Sequence, residues 1–254
     1  MKNLTLLVGL AAAFLTLASS CDKEEPAIVQ TAAVDLQFTA SFEGAPLVMF
    51  QPYDYRNNQK VYFTRFSFYL ADLSLKSEAG GLSKVTDIKY IDFSAYKDAA
   101  AAASGYTYQI NGVPVGKYSG AEMAIGVPAD LNRTTPAAYA ATHPLAETSE
   151  YWSGWKSYIF FKVEGVADLD GDGTFEQPIV YHGGTDDLLK TVQVSGDYDI
   201  TEGLYNLVHF DFDLKKLLIS STEYVDIEKY PSDHDIMVVA SFIAGHWPDA
   251  VTLK

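Results

Sequence analysis

Residues 61–75 read Val-Tyr-Phe-Thr-Arg-Phe-Ser-Phe-Tyr-Leu-Ala-Asp-Leu-Ser-Leu. The stretch is long and rich in aromatic and β-branched side chains, which pack well on a pleated surface. Within it, Phe66, Phe68 and Leu70 recur at every second position, which is the period of a strand. We therefore expect residues 61–75 to form a central strand of a sheet.

Similar patterns occur on both sides of this strand. Val34, Leu36 and Phe38 alternate with polar residues, and such alternation predicts a strand with one buried face. Further candidate strands lie at 86–93, 121–127, 155–163, 178–182, 188–194 and 205–213. Many short strands with turn signals about every ten residues are typical of a sandwich. We predict an all-β fold, namely an antiparallel β-sandwich with a few short helices.

Several local elements can be predicted between these strands. Asn111-Gly112 is the strongest two-residue turn signal, so residues 106–118 are expected to form a hairpin. The alanine tract 99–103 is either a short helical turn or a loop. Short helical segments are also expected near 137–141 and 214–219. Residues 235–244 form either a helix or a buried strand, because periodicity does not separate the two in so short an apolar run.

The N-terminus has the three-part layout of a secretory signal. Lys2 precedes an apolar run at 4–17, and small residues at 18–20 lead to Cys21. The run is shorter than the roughly 20 residues that span a bilayer. A lone cysteine at this place resembles the lipobox of bacterial lipoproteins, in which the cysteine carries the lipid. The alternative is a plain signal peptide with an incidental cysteine.

These features predict how the chain is organised. We expect a signal peptide at 1–20, a lipid-anchored tether at 21–33 and one folded domain at 34–254. The charged residues 22–26 resemble the export tag of surface lipoproteins from Bacteroidetes-type bacteria. That resemblance implies an outer-membrane lipoprotein of the cell envelope, which is either surface-exposed or periplasmic. Cys21 is the only cysteine, so an intramolecular disulfide is excluded.

The charge balance and the missing motifs exclude several functions. The chain has 18 lysines and arginines against 33 aspartates and glutamates, a net charge of −15. We therefore expect no binding of nucleic acid or anionic lipid through a basic face. The sequence contains no G-x-S-x-G, H-E-x-x-H, P-loop or G-x-G-x-x-G motif. We expect a protein that is not an enzyme, since a hydrolase has no motif to support it.

An acidic loop suggests a calcium site. Residues 168–174 read Asp-Leu-Asp-Gly-Asp-Gly-Thr, which resembles the first half of an EF-hand loop. The closing glutamate of such a loop is absent, because Ile179 occupies its place. The alternative is a solvated acidic turn. The candidate calcium ligands are Asp168, Asp170, Asp172, Thr174 and Glu176.

Histidines and tryptophans supply a second group of candidates. The five histidines, none of which has a neighbour at a local metal-binding spacing, are His143, His182, His209, His234 and His246. Any metal site must therefore be assembled by the fold, and a lone histidine is commonly structural or solvated. Imidazole suits copper or zinc. Trp152 and Trp155 enter a strand, where they either fill the core or serve a site.

The order of these segments resembles the MbnP-like family of copper-binding proteins. The resemblance covers roughly 34–250. It rests on the opening strand at 34–38, the long strand at 61–75, the tryptophan segment at 151–165, and His182 with Gly184. It implies a β-sandwich linked to copper, with Trp152 and His182 as the matching site residues. In some members a partner dihaem enzyme oxidises the tryptophan. His209 and His234 are further candidates for completing the site.

The second function that the sequence allows is of another class. A calcium-stabilised sandwich could act in surface adhesion or bind glycans by stacking sugar rings on exposed tryptophans. The candidates for that role are Trp152, Trp155 and Trp247. A fold that brings His182 near another histidine and Trp152 would favour copper, whereas tryptophans spread over an open face would favour sugar.

Overall fold

The computed structural model describes residues 29–233 and 237–254. The predicted signal peptide, Cys21 and His234 lie outside the described residues, as does most of the predicted tether. The first strand begins at Thr31, inside the segment expected to be tether, because Thr31 and Ala32 already pair with Pro114 and Val113. Among the described residues, no helix is both long enough and apolar enough to cross a membrane.

The protein is a sandwich of two sheets. The strands are β1 (Thr31–Phe42), β2 (Ala45–Pro46), β3 (Tyr53–Asp54), β4 (Lys60–Ser77), β5 (Leu82–Asp92), β6 (Tyr106–Pro114), β7 (Gly116–Ile125), β8 (Tyr151–Trp152), β9 (Ser157–Asp168), β10 (Gln177–Gly184), β11 (Lys190–Ile200), β12 (Leu207–Asp213), β13 (Ser232–Asp233) and β14 (Val251–Leu253). The α-helices are α1 (Ala99–Ser104), α2 (Ala129–Asn132), α3 (Leu214–Leu218) and α4 (Val238–Ala250). The predicted all-β sandwich with short helices is thus confirmed.

The two sheets differ in size. The smaller sheet has the order β14-β12-β1-β2, with β6 also paired to β1. The larger sheet has the order β11-β7-β4-β9-β10-β13, with β3 and β5 on β4 and β8 on β9. Most pairs are antiparallel, whereas β1 pairs with β12, and β10 with β13, in parallel. The stretch 61–75 lies within β4, which is a central strand as predicted.

Aromatic side chains from both sheets fill the space between them. Phe38 of β1 stacks on Phe210 of β12 with ring centroids 5.5 Å apart, and Phe68 of β4 lies 4.7 Å from Phe212. Helix α4 contributes Trp247, which is fully buried against these rings. The segment 235–244, for which a helix and a strand were both open, is therefore helical from Val238 onward.

The expected hairpin at Asn111-Gly112 is wrong. Both residues lie inside β6, where they face the single residue Ala33 of β1 and form a bulge, with Gly112 at φ +77°. A bulge needs the same left-handed glycine that a tight turn needs, so the local sequence does not separate the two. Strands β6 and β7 belong to different sheets, and the chain crosses from one sheet to the other at Val115.

The connection between β7 and β8 covers the outer face of the larger sheet. Tyr69 of β4 donates a hydrogen bond to the carbonyl of Pro144 at 3.2 Å, and Tyr158 of β9 donates one to that of Leu145 at 3.0 Å. Strand β9 is thereby buried on both faces, which accounts for its unbroken apolar run at 158–161. The short helix expected near 137–141 is a 3₁₀ turn at Pro136–Ala138.

Candidate metal-binding site

His182 lies on the outer face of the larger sheet. On β10, Tyr181 is fully buried in the core, so the alternation of side chains directs His182 to the opposite face. The residue pairs with Lys162 on β9, and Glu164, two residues further along β9, pairs with Arg65 on β4. Strand register therefore gathers one imidazole, one carboxylate and two cationic side chains on the same face.

His182 and Glu164 form a close pair. The Nε2 of His182 lies 2.7 Å from Oε1 of Glu164, and the imidazole side chain is only 13% exposed. The hydrogen bond from His182 holds the pKa of Glu164 below its usual value, although partial burial acts to raise it. With Nε2 donating to the carboxylate, a neutral ring carries its lone pair on Nδ1. A carboxylate that orients a histidine in this way is common behind metal-bound histidines.

The two tryptophans lie beside the end of β10. Trp152 and Trp155 stack on each other with centroids 4.7 Å apart. The ring of Trp155 approaches Gly184 so closely that an added Cβ there would be 2.9 Å from it. Gly184 is two residues from His182, so the segments quoted for the family resemblance meet in space. The glycine is needed because a side chain would displace the indole.

A buried carboxylate fixes the segment that carries Trp152. Glu150 is 1% exposed and accepts from the Arg65 guanidinium at 2.7 Å and from Lys162 Nζ at 3.0 Å. Lys162 also donates to the carbonyl of Ser149 at 2.9 Å. Burial raises the pKa of the Tyr90 hydroxyl, and the Glu150 carboxylate raises it further, so Tyr90 remains a neutral partner of Arg65. This network pins residues 149–152 to the sheet.

His209 belongs to a different surface. It lies on β12 of the smaller sheet, beside Phe210, which points into the core. His182 and His209 therefore project from opposite outer faces of the sandwich. The prediction that His209 completes a site at His182 is wrong, because the sequence does not reveal which sheet each histidine joins.

A separate polar network holds His209. Thr39 Oγ1 donates to Asp211 Oδ1 at 2.7 Å and lies 2.7 Å from His209 Nε2. Because the hydroxyl has one proton and gives it to the carboxylate, it accepts from Nε2–H. Ser41 Oγ also donates to Asp211 at 2.7 Å, and Lys254 Nζ lies 3.3 Å from the same carboxylate. The network lines a groove of about 270 Å³.

We expect His209 to make folding pH-dependent. Burial lowers its pKa, Asp211 acts to raise it and Lys254 lowers it, with a net decrease. The unfolded chain therefore binds a proton more readily, so stability falls as the pH drops below the ordinary histidine pKa of about 6.5. In urea unfolding between about pH 7 and 5, His209→Gln should lose less stability than wild type. An identical slope for both proteins would show that His209 does not contribute.

The acidic loop brings together part of the predicted calcium set. One oxygen each of Asp168, Asp172 and Glu176 lies within 4.8 Å of the others, and within the described part of the chain no other group of three histidine, cysteine or acidic side chains does so. The buried carboxylate of Asp168 accepts from the backbone N–H of Gly171 and Gly173. Asp170 is not a member of this group, and calcium stays a prediction.

Some contributors to the site were not identified from sequence. Glu164 bonds to His182, Lys162 is its strand partner and Glu150 pairs with Lys162, yet the sequence did not identify any of the three. Lys162 and Glu164 could have been identified from their positions on either side of Val163. This alternation marks a polar face on an otherwise apolar strand. Glu150 has no such signal, because it follows a polar segment with no clear periodicity.

Fold and site together define a class of protein: a two-sheet sandwich whose larger sheet carries a histidine–glutamate pair, with one of two stacked tryptophans packed against Gly184 at the end of the histidine's strand. The family model MbnP matches residues 31–238, which is most of the chain, so the chain belongs to the MbnP family. The solved structure of MbnP from Methylosinus trichosporium is similar, with 16% identity, coverage of 74% of this chain and 78% of that chain, and a TM-score of 0.49. No curated protein matches the chain.

Proposed function

We propose that this chain is an exported, lipid-anchored protein of the cell envelope that binds copper and acquires or handles it without catalysing a reaction. Membership of the MbnP family supports the link to copper. The observation that carries the proposal is the largely buried His182, oriented by Glu164 and two residues from Gly184, against which Trp155 packs. Cys21 is the proposed lipid attachment site.

The chemistry of the donors suits copper. An imidazole nitrogen binds both Cu(II) and Cu(I), and the Glu164 carboxylate supports that ligand by orienting the ring. Within the described residues, no third histidine, cysteine or acidic side chain joins this pair in a group of three. Copper needs about three or four donors, so further groups must complete the site.

Two residues are proposed to complete it. Trp152, native or oxidised by a dihaem partner, is carried by the β8–β9 hairpin that the Glu150 network fixes beside β10. His234 lies outside the described residues, but it follows Asp233 in the sequence, and Asp233 pairs with Tyr181, the neighbour of His182. Both positions therefore belong in a test of the site.

A glycan-binding function has less support from the same residues. Trp247 is fully buried in the core, so the prediction that it stacks on sugar is wrong. Trp152 and Trp155 each cover one face of the other, which leaves less indole surface for a sugar ring. No observation at the acidic loop favours adhesion.

Copper titration of the purified protein tests the proposal. Cu(II) and Cu(I) would be titrated, with calcium present throughout, into wild type and into His182→Ala, Glu164→Gln, Trp152→Phe and His234→Ala. We expect His182→Ala to weaken one-to-one binding at least tenfold, about 1.4 kcal/mol. Glu164→Gln should weaken it about 10- to 100-fold, as loss of an outer-shell partner does.

A matched control separates a site from scattered surface binding. His246 lies on α4, where its Nδ1 is 2.8 Å from the carbonyl of Phe242. His246→Ala removes the same imidazole from a place that has no proposed role, and it should leave the affinity unchanged. Equal affinities for wild type, His182→Ala and His246→Ala would refute a copper site at His182.

A further inference from the structure

Large apolar side chains are exposed mainly at one end of the sandwich. At this end β1 begins, β4 ends, β5 begins, and β11 turns into β12, as the pairs Thr31–Pro114, Ser77–Tyr118, Ile200–Gly116 and Asp35–Leu207 show. We call it the N-terminal end. Five of the eight exposed large apolar residues among those described belong to it, and they are Val29, Leu82, Leu204, Tyr205 and Leu207.

The most exposed members sit at the tip of a rigid loop. Leu204 is 67% exposed and Tyr205 is 74% exposed. The buried side chain of Asn206 organises the loop: its Oδ1 accepts from the N–H of Thr201 at 2.8 Å, and its Nδ2 donates to the carbonyls of Ala33 at 3.0 Å and Leu204 at 3.1 Å. The loop is thereby tied to β1 and presents Leu204 and Tyr205 to solvent in a fixed conformation.

We propose that the N-terminal end docks onto the lipid bilayer that holds the acyl chains of Cys21, with Leu204, Tyr205 and Leu207 entering its interface. This inference rests on the proposed lipid anchor. Nine residues separate Cys21 from Thr31, and the ten Cα–Cα steps across them span at most about 35 Å. The anchor therefore keeps this end close to the membrane, and its effective concentration there is high.

The exposed apolar side chains of this end suit a lipid surface, although the loop also carries the exposed Glu202. Leucine side chains partition into the acyl boundary, and tyrosine is enriched at the depth of the headgroups. The net charge of −15 rules out attraction to anionic lipid as the driving force, so apolar burial must supply it. The acidic loop lies at the opposite end, since Asp168 pairs with Lys60 at the start of β4. Docking by the N-terminal end thus holds those carboxylates away from the headgroups.

Fluorescence quenching by lipid tests the docking. Tyr205→Trp would be purified from membranes as the full lipoprotein and reconstituted into vesicles of phosphatidylcholine with brominated or ordinary acyl chains. The emission of the three native tryptophans is measured on wild type and subtracted from that of the variant. The remaining emission, from position 205, should be quenched in brominated vesicles and not in ordinary ones. A second variant, Tyr205→Trp with Leu204→Asp, should recover that emission, because the charge opposes insertion.

Phe50→Trp is the matched control. Phe50 is also an exposed aromatic residue, but its backbone N–H bonds to Phe63 near the start of β4, at the opposite end. Its emission should be the same in both kinds of vesicle. The docking would be overturned if both probes were quenched equally, or if neither were quenched, in a protein whose mass shows a lipid on Cys21. The proposed anchor would then still hold. A mass without lipid would overturn both the lipid anchor and the docking that rests on it, and it would show that the anchor was the incorrect proposal.

Discussion

Replacing Glu150 with alanine should destabilise the fold by about 3–5 kcal/mol, the usual cost of removing one partner from a buried ion pair. The change leaves Lys162, whose side chain is 7% exposed, and Arg65, 28% exposed, without their shared carboxylate. For a domain of this size the melting temperature should fall by roughly 10 °C. Thermal unfolding followed by circular dichroism measures the effect.

Two further variants isolate its cause. Glu78→Ala makes the same substitution in the exposed turn after β4 and should be nearly neutral. Lys162→Met in the Glu150→Ala background removes one of the two stranded cations, so it should recover part of the loss. A Glu150→Ala protein as stable as Glu78→Ala would show that the network adds nothing to folding.

The loss of Glu150 should also perturb the candidate copper site. The residue directly precedes β8, and its ion pairs with β4 and β9 hold the start of the β8–β9 hairpin against the sheet. Without them, the hairpin that carries Trp152 loses its tie to Lys162, the strand partner of His182. We therefore expect Glu150→Ala to weaken copper binding even at temperatures where the protein remains folded.

Replacing Trp247 with alanine should be about as costly, at about 3–5 kcal/mol. The indole is fully buried and touches rings from both sheets, with centroids 5.1 Å from Phe68 and 6.3 Å from Phe212. Alanine would leave a cavity at the contact between α4 and the two sheets, which close-packed neighbours fill only in part. Urea unfolding gives the free energy directly.

Two control variants, Trp247→Phe and Phe50→Ala, should each cost less stability than Trp247→Ala. The Nε1 of Trp247 has no hydrogen-bond partner among the described residues, so phenylalanine loses volume but no hydrogen bond and should cost less than alanine. Phe50 is half exposed, and its truncation should cost little. If Trp247→Ala proved as mild as Phe50→Ala, the indole would not be a core residue.

Strand positions were predictable because their signal is local. The two-residue alternation at 34–38 and the long aromatic run at 61–75 each require only a few neighbouring residues to be read. Both became strands with the predicted buried face, as the full burial of Leu36 and Phe66 shows. The sandwich itself follows, since amphipathic strands must cover their apolar faces with a second sheet.

Pairing partners were not predictable because they depend on residues far apart. The bulge at Asn111-Gly112 differs from a hairpin only in whether the next strand returns to the same sheet. The helical state of 238–250 likewise depends on the cleft that receives Trp247, since the short apolar run alone fits either structure.

The amino-acid sequence thus determined the fold class, the family and His182 as the first candidate ligand, all from patterns that are contiguous or ordered along the chain. Only the tertiary structure decided what surrounds that ligand. In the structure, Glu164 bonds to His182, Glu150 is buried between two cations, and His209 lies on the opposite outer face of the sandwich from His182. The reason is physical: a side chain's environment is set by sheet membership and register, which join residues far apart in the sequence.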